Sequence, residues 1–156
     1  MRVGMAAAKG LAYSLDLPMV GVTSLAAMAH AGRIEVGPKP VIAMLDAKKG
    51  EVFVACYGRA GQLRKGPDHI PRERVQSWIS DLCLDEELAV VGEVAGQLSV
   101  KNVAWIRTAG CELPGPASTA ALAQAMWDDH HRNEIDTLEP LYVRPPDITR
   151  SKRMIL

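Results

Sequence analysis

The sequence predicts an α/β fold, a mixed sheet with helices packed against it. Three observations lead there. Residues 41–45 (VIAML) form a short unbroken apolar run, the pattern of a strand buried on both faces, and residues 51–57 follow as a second run rich in β-formers. Residues 88–92 and 103–106 are further apolar runs too short for helices. Helical patterns precede, separate and follow these strands, so helices are available to cover the sheet.

In chain order, residues 2–15 read as a helix rich in alanine and closed by Pro18. Val3, Gly4, Ala7, Ala8, Leu11 and Leu15 form one apolar side, the expected core face. Arg2, Met5, Lys9, Tyr13 and Asp16 fall on the other side at i, i+3, i+4 spacing. Residues 19–22 read as a short strand. Thr23 or Ser24 is placed to cap a helix over residues 25–31, and the glycines and prolines of residues 32–40 mark a loop or lobe boundary.

The two strands around Ala47, Lys48, Lys49 and Gly50 read as a β-hairpin, with Gly50 supplying a positive backbone angle. Residues 62–66 follow as an edge strand. Pro71 opens a helix to about residue 82 with Val75, Trp78, Ile79 and Leu82 on one face. Ser118 is placed to cap a last helix to about residue 131, with Leu122, Ala125, Met126 and Trp127 inward, and the tail from Leu138 reads as extended.

Composition excludes some functions. The 156 residues fit one domain or two small lobes, and 48% apolar with 23% charged residues is ordinary for a globular protein. Eighteen basic residues balance eighteen acidic ones, which gives no global case for nucleic-acid or membrane binding. Cys56, Cys83 and Cys111 are widely spaced and odd in number, so they read as free thiols of a cytoplasmic protein rather than a disulfide or metal set. No apolar run reaches the ~18 residues that a membrane-spanning helix needs.

Asp46, Lys48 and Glu51 cluster at the hairpin. Two acids so placed could serve as a general acid/base pair or Mg²⁺ ligands, but turn residues are more often structural. Asp128, Asp129, His130 and His131 could suggest a metal, yet adjacent histidines on a helix diverge by about 100°, and a solvated helix end is the better account. His30 and His69 have no sequence partners and read as surface or loop residues. Gly92 to Gly96 is the nearest approach to a phosphate loop. Arg144, Arg150, Lys152 and Arg153 make the tail locally basic without interleaved aromatics, as in a solvated tail. No serine-hydrolase, zinc-protease or nucleotide-binding motif is present.

Three stretches carry a family resemblance. DAKKGEVF, with Asp46, Lys48, Gly50 and Glu51, resembles the D-A-R-x-G-E-V-Y hairpin of the TsaB family, formerly YeaZ. Residues 2–24 resemble its R-I-G-x-A-x-A-K-G-L-A…P-x-x-G-V-S-S-L segment, and PLYVRPP, with Tyr142 and Arg144, its closing P-x-Y-L-R. The resemblance implies an ASKHA (actin, sugar kinase, Hsp70-like) fold with residues 1–37 left from the first lobe and residues 38–156 forming the second. It also implies a longer reading frame, because the family's D-T-S and G-S-F-T-G segments have no counterpart here.

What the resemblance implies for function is a non-catalytic scaffolding subunit in the formation of N6-threonylcarbamoyladenosine at position 37 of tRNA. Its partners would be the catalytic paralogue TsaD and the ATPase TsaE, with tRNA contacted only indirectly, no membrane, and a homodimer in their absence. ATP would be used by the complex, with no cofactor on this chain. Arg2, Met5, Lys9, Tyr13 and Asp16 would form the partner interface. The alternative is an enzyme, either the glycoprotease-like peptidase of the family's older label or an ASKHA-type ATPase.

Overall fold

In a computed structural model, described for residues 2–82, 87–97, 104–105, 111–129 and 135–144, a five-stranded mixed sheet lies between helices. Its strands are β1 (Val41–Lys48), β2 (Glu51–Tyr57), β3 (Leu63–Pro71), β4 (Ala89–Val91) and β5 (Ala104–Trp105), in the order β3-β2-β1-β4-β5. β1 to β3 are antiparallel neighbours, whereas β4 runs parallel to β1 and β5 parallel to β4. The helices are α1 (Arg2–Ser14), α2 (Ser24–Val36), α3 (Val75–Ser80) and α4 (Pro116–Asp128). No described helix is long and apolar enough to cross a membrane.

Alternation along β1 builds two cores, because successive strand residues point to opposite faces. Ile42 and Met44 join Val52, Val54, Cys56 and Val90 on one face, which α3 covers with Val75, Trp78 and Ile79. Val41 and Ala43 join Ala55, Tyr57, Ala89 and Val91 on the other, which α2 covers with Leu25, Met28 and Ala29. The central strand is therefore buried on both faces, as its unbroken apolar run requires. Trp78 also donates its indole N–H to Asp68 at 2.7 Å and carries the Lys65 ammonium 4.7 Å from a ring centroid.

Thr23 caps α2, its hydroxyl accepting from the Ala26 amide at 3.2 Å. The helix runs through Gly32, where the sequence predicts a loop, and ends at Gly37 with φ 81°. Gly32 is a close-packing residue: a Cβ there would stand 2.6 Å from Val91 Cγ1. Residues 37 and 38, the expected lobe boundary, join α2 to β1, two elements that share one core.

Other elements differ from expectation. Residues 19–22 form no strand, only an isolated bridge at Met19. β3 is an edge strand as expected, but continues to Pro71 because residues 68–71 pair with residues 51–54 of β2. The helix expected from residue 71 to 82 is a 3₁₀ turn (Arg72–Arg74) followed by α3, which stops at Ser80. α4 starts two residues before Ser118, with Gly115 as its cap and Pro116 in its first turn; Ser118 is buried within it and Ala125 is exposed.

The predicted core side of α1 is exposed. Val3 is 83% exposed, Leu11 64% and Leu15 62%, although they form the expected core side. α1 packs extensively against no other described helix or strand, so no sheet lies beneath that side. Met5 and Lys9, on the opposite side, are half-buried because residues 138–142 return across them.

Candidate functional site

The hairpin tip gathers charges from four parts of the chain. β1 delivers Asp46 and Lys48, the start of β2 Glu51, the end of β3 with the 3₁₀ turn that follows it His69 and Arg72, and the tail Arg144. The turn is tight, with Lys48, Lys49 and Gly50 at φ 66°, 54° and 75°, and it is backed by the Arg72 amide donating to the Gly50 carbonyl at 3.0 Å. The left-handed lysines bring the Lys48 amide and ammonium back onto Asp46, at 3.0 Å to Oδ1 and 2.9 Å to Oδ2. Arg72 Nη2 donates to the same Oδ1 at 3.2 Å.

Asp46 is thus an acceptor with three donors. The Lys48 ammonium, then its amide, then Arg72, hold the carboxyl at about 2, below the ordinary 3.8. Reciprocally, Asp46 raises the Lys48 ammonium above its usual value. A carboxylate so stabilised is a poor proton acceptor at neutral pH, which argues against general acid/base work. The Asp46 amide donates to Glu93 Oε1 at 3.1 Å, tying β1 to the segment after β4.

Glu51 sits in a second, adjoining arrangement. Its Oε2 lies 2.9 Å from His69 Nε2 and 3.3 Å from Arg144 Nη1. Arg144 Nη1 also donates to the Ala47 carbonyl at 3.3 Å. His69 stands directly opposite Phe53 in the β2–β3 ladder, their ring centroids 5.4 Å apart. The two resembling segments around Glu51 and Arg144 therefore meet in space. Arg144 is a half-buried anchor instead of a member of a solvated basic tail, and His69 is a strand residue with partners instead of a lone surface histidine.

Tyr142 is two residues from Arg144 but lines a different feature. With Met5, Ala6, Lys9, Leu138, Glu139 and Pro140 it bounds an open groove of about 380 Å³ between α1 and the returning tail. Lys9 Nζ reaches the Asp136 carbonyl at 3.5 Å. Of the expected interface residues, Met5 and Lys9 are half-covered by the chain itself, Tyr13 and Asp16 are exposed, and Arg2 begins the helix.

The remaining candidates resolve structurally. A Cβ at Gly92 would overlap the Met44 carbonyl oxygen, so this glycine lets the chain cross β1 closely, and Glu93 places an acid where a phosphate loop would need donors. His30 is on α2, half-buried, with its Nδ1 buried and lacking a hydrogen-bond partner; burial and then Arg33 lower its pKa. Asp128 accepts from Gln124 at the exposed end of α4, while His130, His131, Arg150, Lys152 and Arg153 lie outside the described residues. Cys56 and Cys111 are buried and form no disulfide with each other; Cys83 lies outside the described residues. Sequence reading missed His69, Arg72 and Glu93 as parts of the hairpin cluster, since only the strand register reveals their meeting.

Comparison with known proteins gives a consistent picture. The family model described as TsaD, tRNA N6-adenosine threonylcarbamoyltransferase, matches residues 1–89. The tRNA threonylcarbamoyladenosine biosynthesis protein TsaB of Escherichia coli (strain K12) is 28% identical over 155 residues, covering 92% of this chain and 64% of the relative. TsaB of Haemophilus influenzae is 24% identical over 164 residues with the same two coverages, 92% and 64%. The chain thus spans a little under two thirds of the length of these curated relatives. Among solved structures, an uncharacterized protein with similarity to peptidase YEAZ from Pseudomonas aeruginosa superposes with a TM-score of 0.76 at 26% identity, over 92% of this chain and 67% of that one. A structure of YeaZ from Pseudomonas aeruginosa gives 0.73 at 26% identity, over 90% and 66%.

Proposed function

The chain belongs to the TsaD (tRNA N6-adenosine threonylcarbamoyltransferase) family as a TsaB/YeaZ-type member, and from that premise we propose that it is a non-catalytic scaffolding subunit in tRNA threonylcarbamoyladenosine biosynthesis. One observation carries the reading. The polar residues of the hairpin are engaged with one another and with the backbone, whereas the conspicuous free surface is the apolar side of α1. A site that holds its own charges in mutual ion pairs offers structure, and an exposed row of Val3, Leu11 and Leu15 offers a binding face.

The occupant of that face is a TsaD-like catalytic paralogue, with a TsaE-like ATPase joining the assembly and ATP consumed there. Asp16, exposed and next to Leu15 in the chain, belongs to the rim of the same interface, whereas the exposed Tyr13 lies on the opposite side of α1. In the same reading the sheet and its helices derive from the second lobe of an ASKHA fold, and residues 1–37 from the first. The peptidase and ATPase readings find less support, because Asp46 is held ionised by three donors and Gly92 and Glu93 serve packing.

The experiment is a calorimetric titration of the chain against its TsaD-like paralogue. A charge introduced among side chains that lose water on binding should weaken affinity at least ~10-fold for Leu11→Glu and Leu15→Glu. Both positions are exposed, so circular dichroism should stay unchanged. Equal affinity in both variants would exclude this side of α1 from the interface.

A further inference from the structure

We propose that residues 135–144 act as a clasp that holds α1 in place, with its catch at the hairpin tip. The inference concerns coupling within the chain and does not depend on the identity of any partner. α1 lacks the support that fixes the other helices: it packs extensively against no other described helix or strand, and its apolar side is exposed. The segment that joins it to α2 closes the helix end, with the Leu17 amide on the Ala12 carbonyl at 2.8 Å, and beyond that holds only an isolated bridge at Met19, so it adds no helix or strand to support α1.

What does touch α1 is the returning tail. Leu138, Pro140 and Tyr142 face Met5 and Lys9 across the groove, and Lys9 Nζ reaches the Asp136 carbonyl. The far end of the same tail is fixed by Arg144, which spans the Ala47 carbonyl and the Glu51 carboxylate at 3.3 Å each. A charged guanidinium bound to both a carboxylate and a carbonyl is a firm anchor. The Glu51 oxygen it uses is the one that His69 also contacts, so the catch is built into the β2–β3 ladder. The path from helix to sheet therefore runs α1, tail, Arg144, Glu51. Loosening any link frees the helix without disturbing the two cores, since none of these residues belongs to them.

Hydrogen–deuterium exchange on the whole chain tests this with two variants, Arg144→Ala and Glu51→Gln. Removing a charge-assisted contact should raise local opening about tenfold, so amides of Arg2–Ser14 should exchange about tenfold faster in each variant. Amides of Val41–Lys48 and Ser24–Val36 should keep their wild-type rates. If Arg144→Ala accelerates exchange throughout the chain, Glu51→Gln decides on the same criterion. The proposal is overturned if α1 exchanges no faster in Glu51→Gln, or if α1 in the wild-type chain already exchanges at the rate of an unstructured peptide.

Discussion

At the scale of single residues, Asp46 shows how a turn can fix a carboxylate. Its folded pKa of about 2 lies below the ordinary 3.8, so the unfolded chain binds the extra proton as pH falls. The contribution of this group is complete above the ordinary value and is lost as pH drops through about 2. Carbon-detected NMR of the Asp46 carboxyl should give a midpoint near 2 in the wild-type chain and a higher one in Lys48→Ala, because Lys48 supplies the largest part of the depression. An unmoved midpoint would show that Lys48 is not the cause. Asp46, Lys48 and Gly50 could be singled out from sequence because they are adjacent in it. That Arg72, His69 and Arg144 meet them could not be read there, since their approach depends on strand register and on the path of the tail, neither of which leaves a local signature.

At the scale of elements, the strands with unbroken apolar runs and the Val75, Trp78, Ile79 face of α3 were legible because periodicity reports burial directly. The glycines were not. Gly32 read as the start of a loop and Gly92 as part of a phosphate-loop candidate, yet each is a point where backbone and sheet come too close for a side chain. Gly92→Ala places a methyl against the Met44 carbonyl at φ 124°, so urea denaturation should show a loss of about 3 kcal/mol or more, or failure to fold. Gly32→Ala meets a side-chain methyl that can yield, and should cost about 1–3 kcal/mol. Equal losses at the two sites would contradict this distinction between backbone and side-chain crowding. The sides of α1 were misread for a different reason: amphipathic pattern shows that a side is apolar, not what covers it.

At the scale of the whole molecule, the exposed Val3, Leu11 and Leu15 form a surface that a second copy can cover as well as a partner can. Light scattering at micromolar concentration should therefore give a dimer or larger species, and Leu11→Glu should return it to the monomer mass. A monodisperse wild-type monomer would count against self-association. A TsaD-like paralogue binding the same face should dissolve the self-associated form, so the two assemblies should compete in one titration.

The order of strands also governs how this chain leaves the ribosome. β1, β2 and β3 are consecutive and can pair as they emerge, but the other edge of β1 waits for β4, whose Ala89 is the partner of Val41. At roughly 5–20 residues per second, the nascent sheet presents the open edge of β1 for some seconds before β4 arrives. During that interval the unpaired amides and carbonyls of β1 are a template for any neighbouring strand, including the same segment on an adjacent nascent chain. Synthesis rate between residues 58 and 91 thus controls how long that edge stays open, and slow codons there would lengthen it.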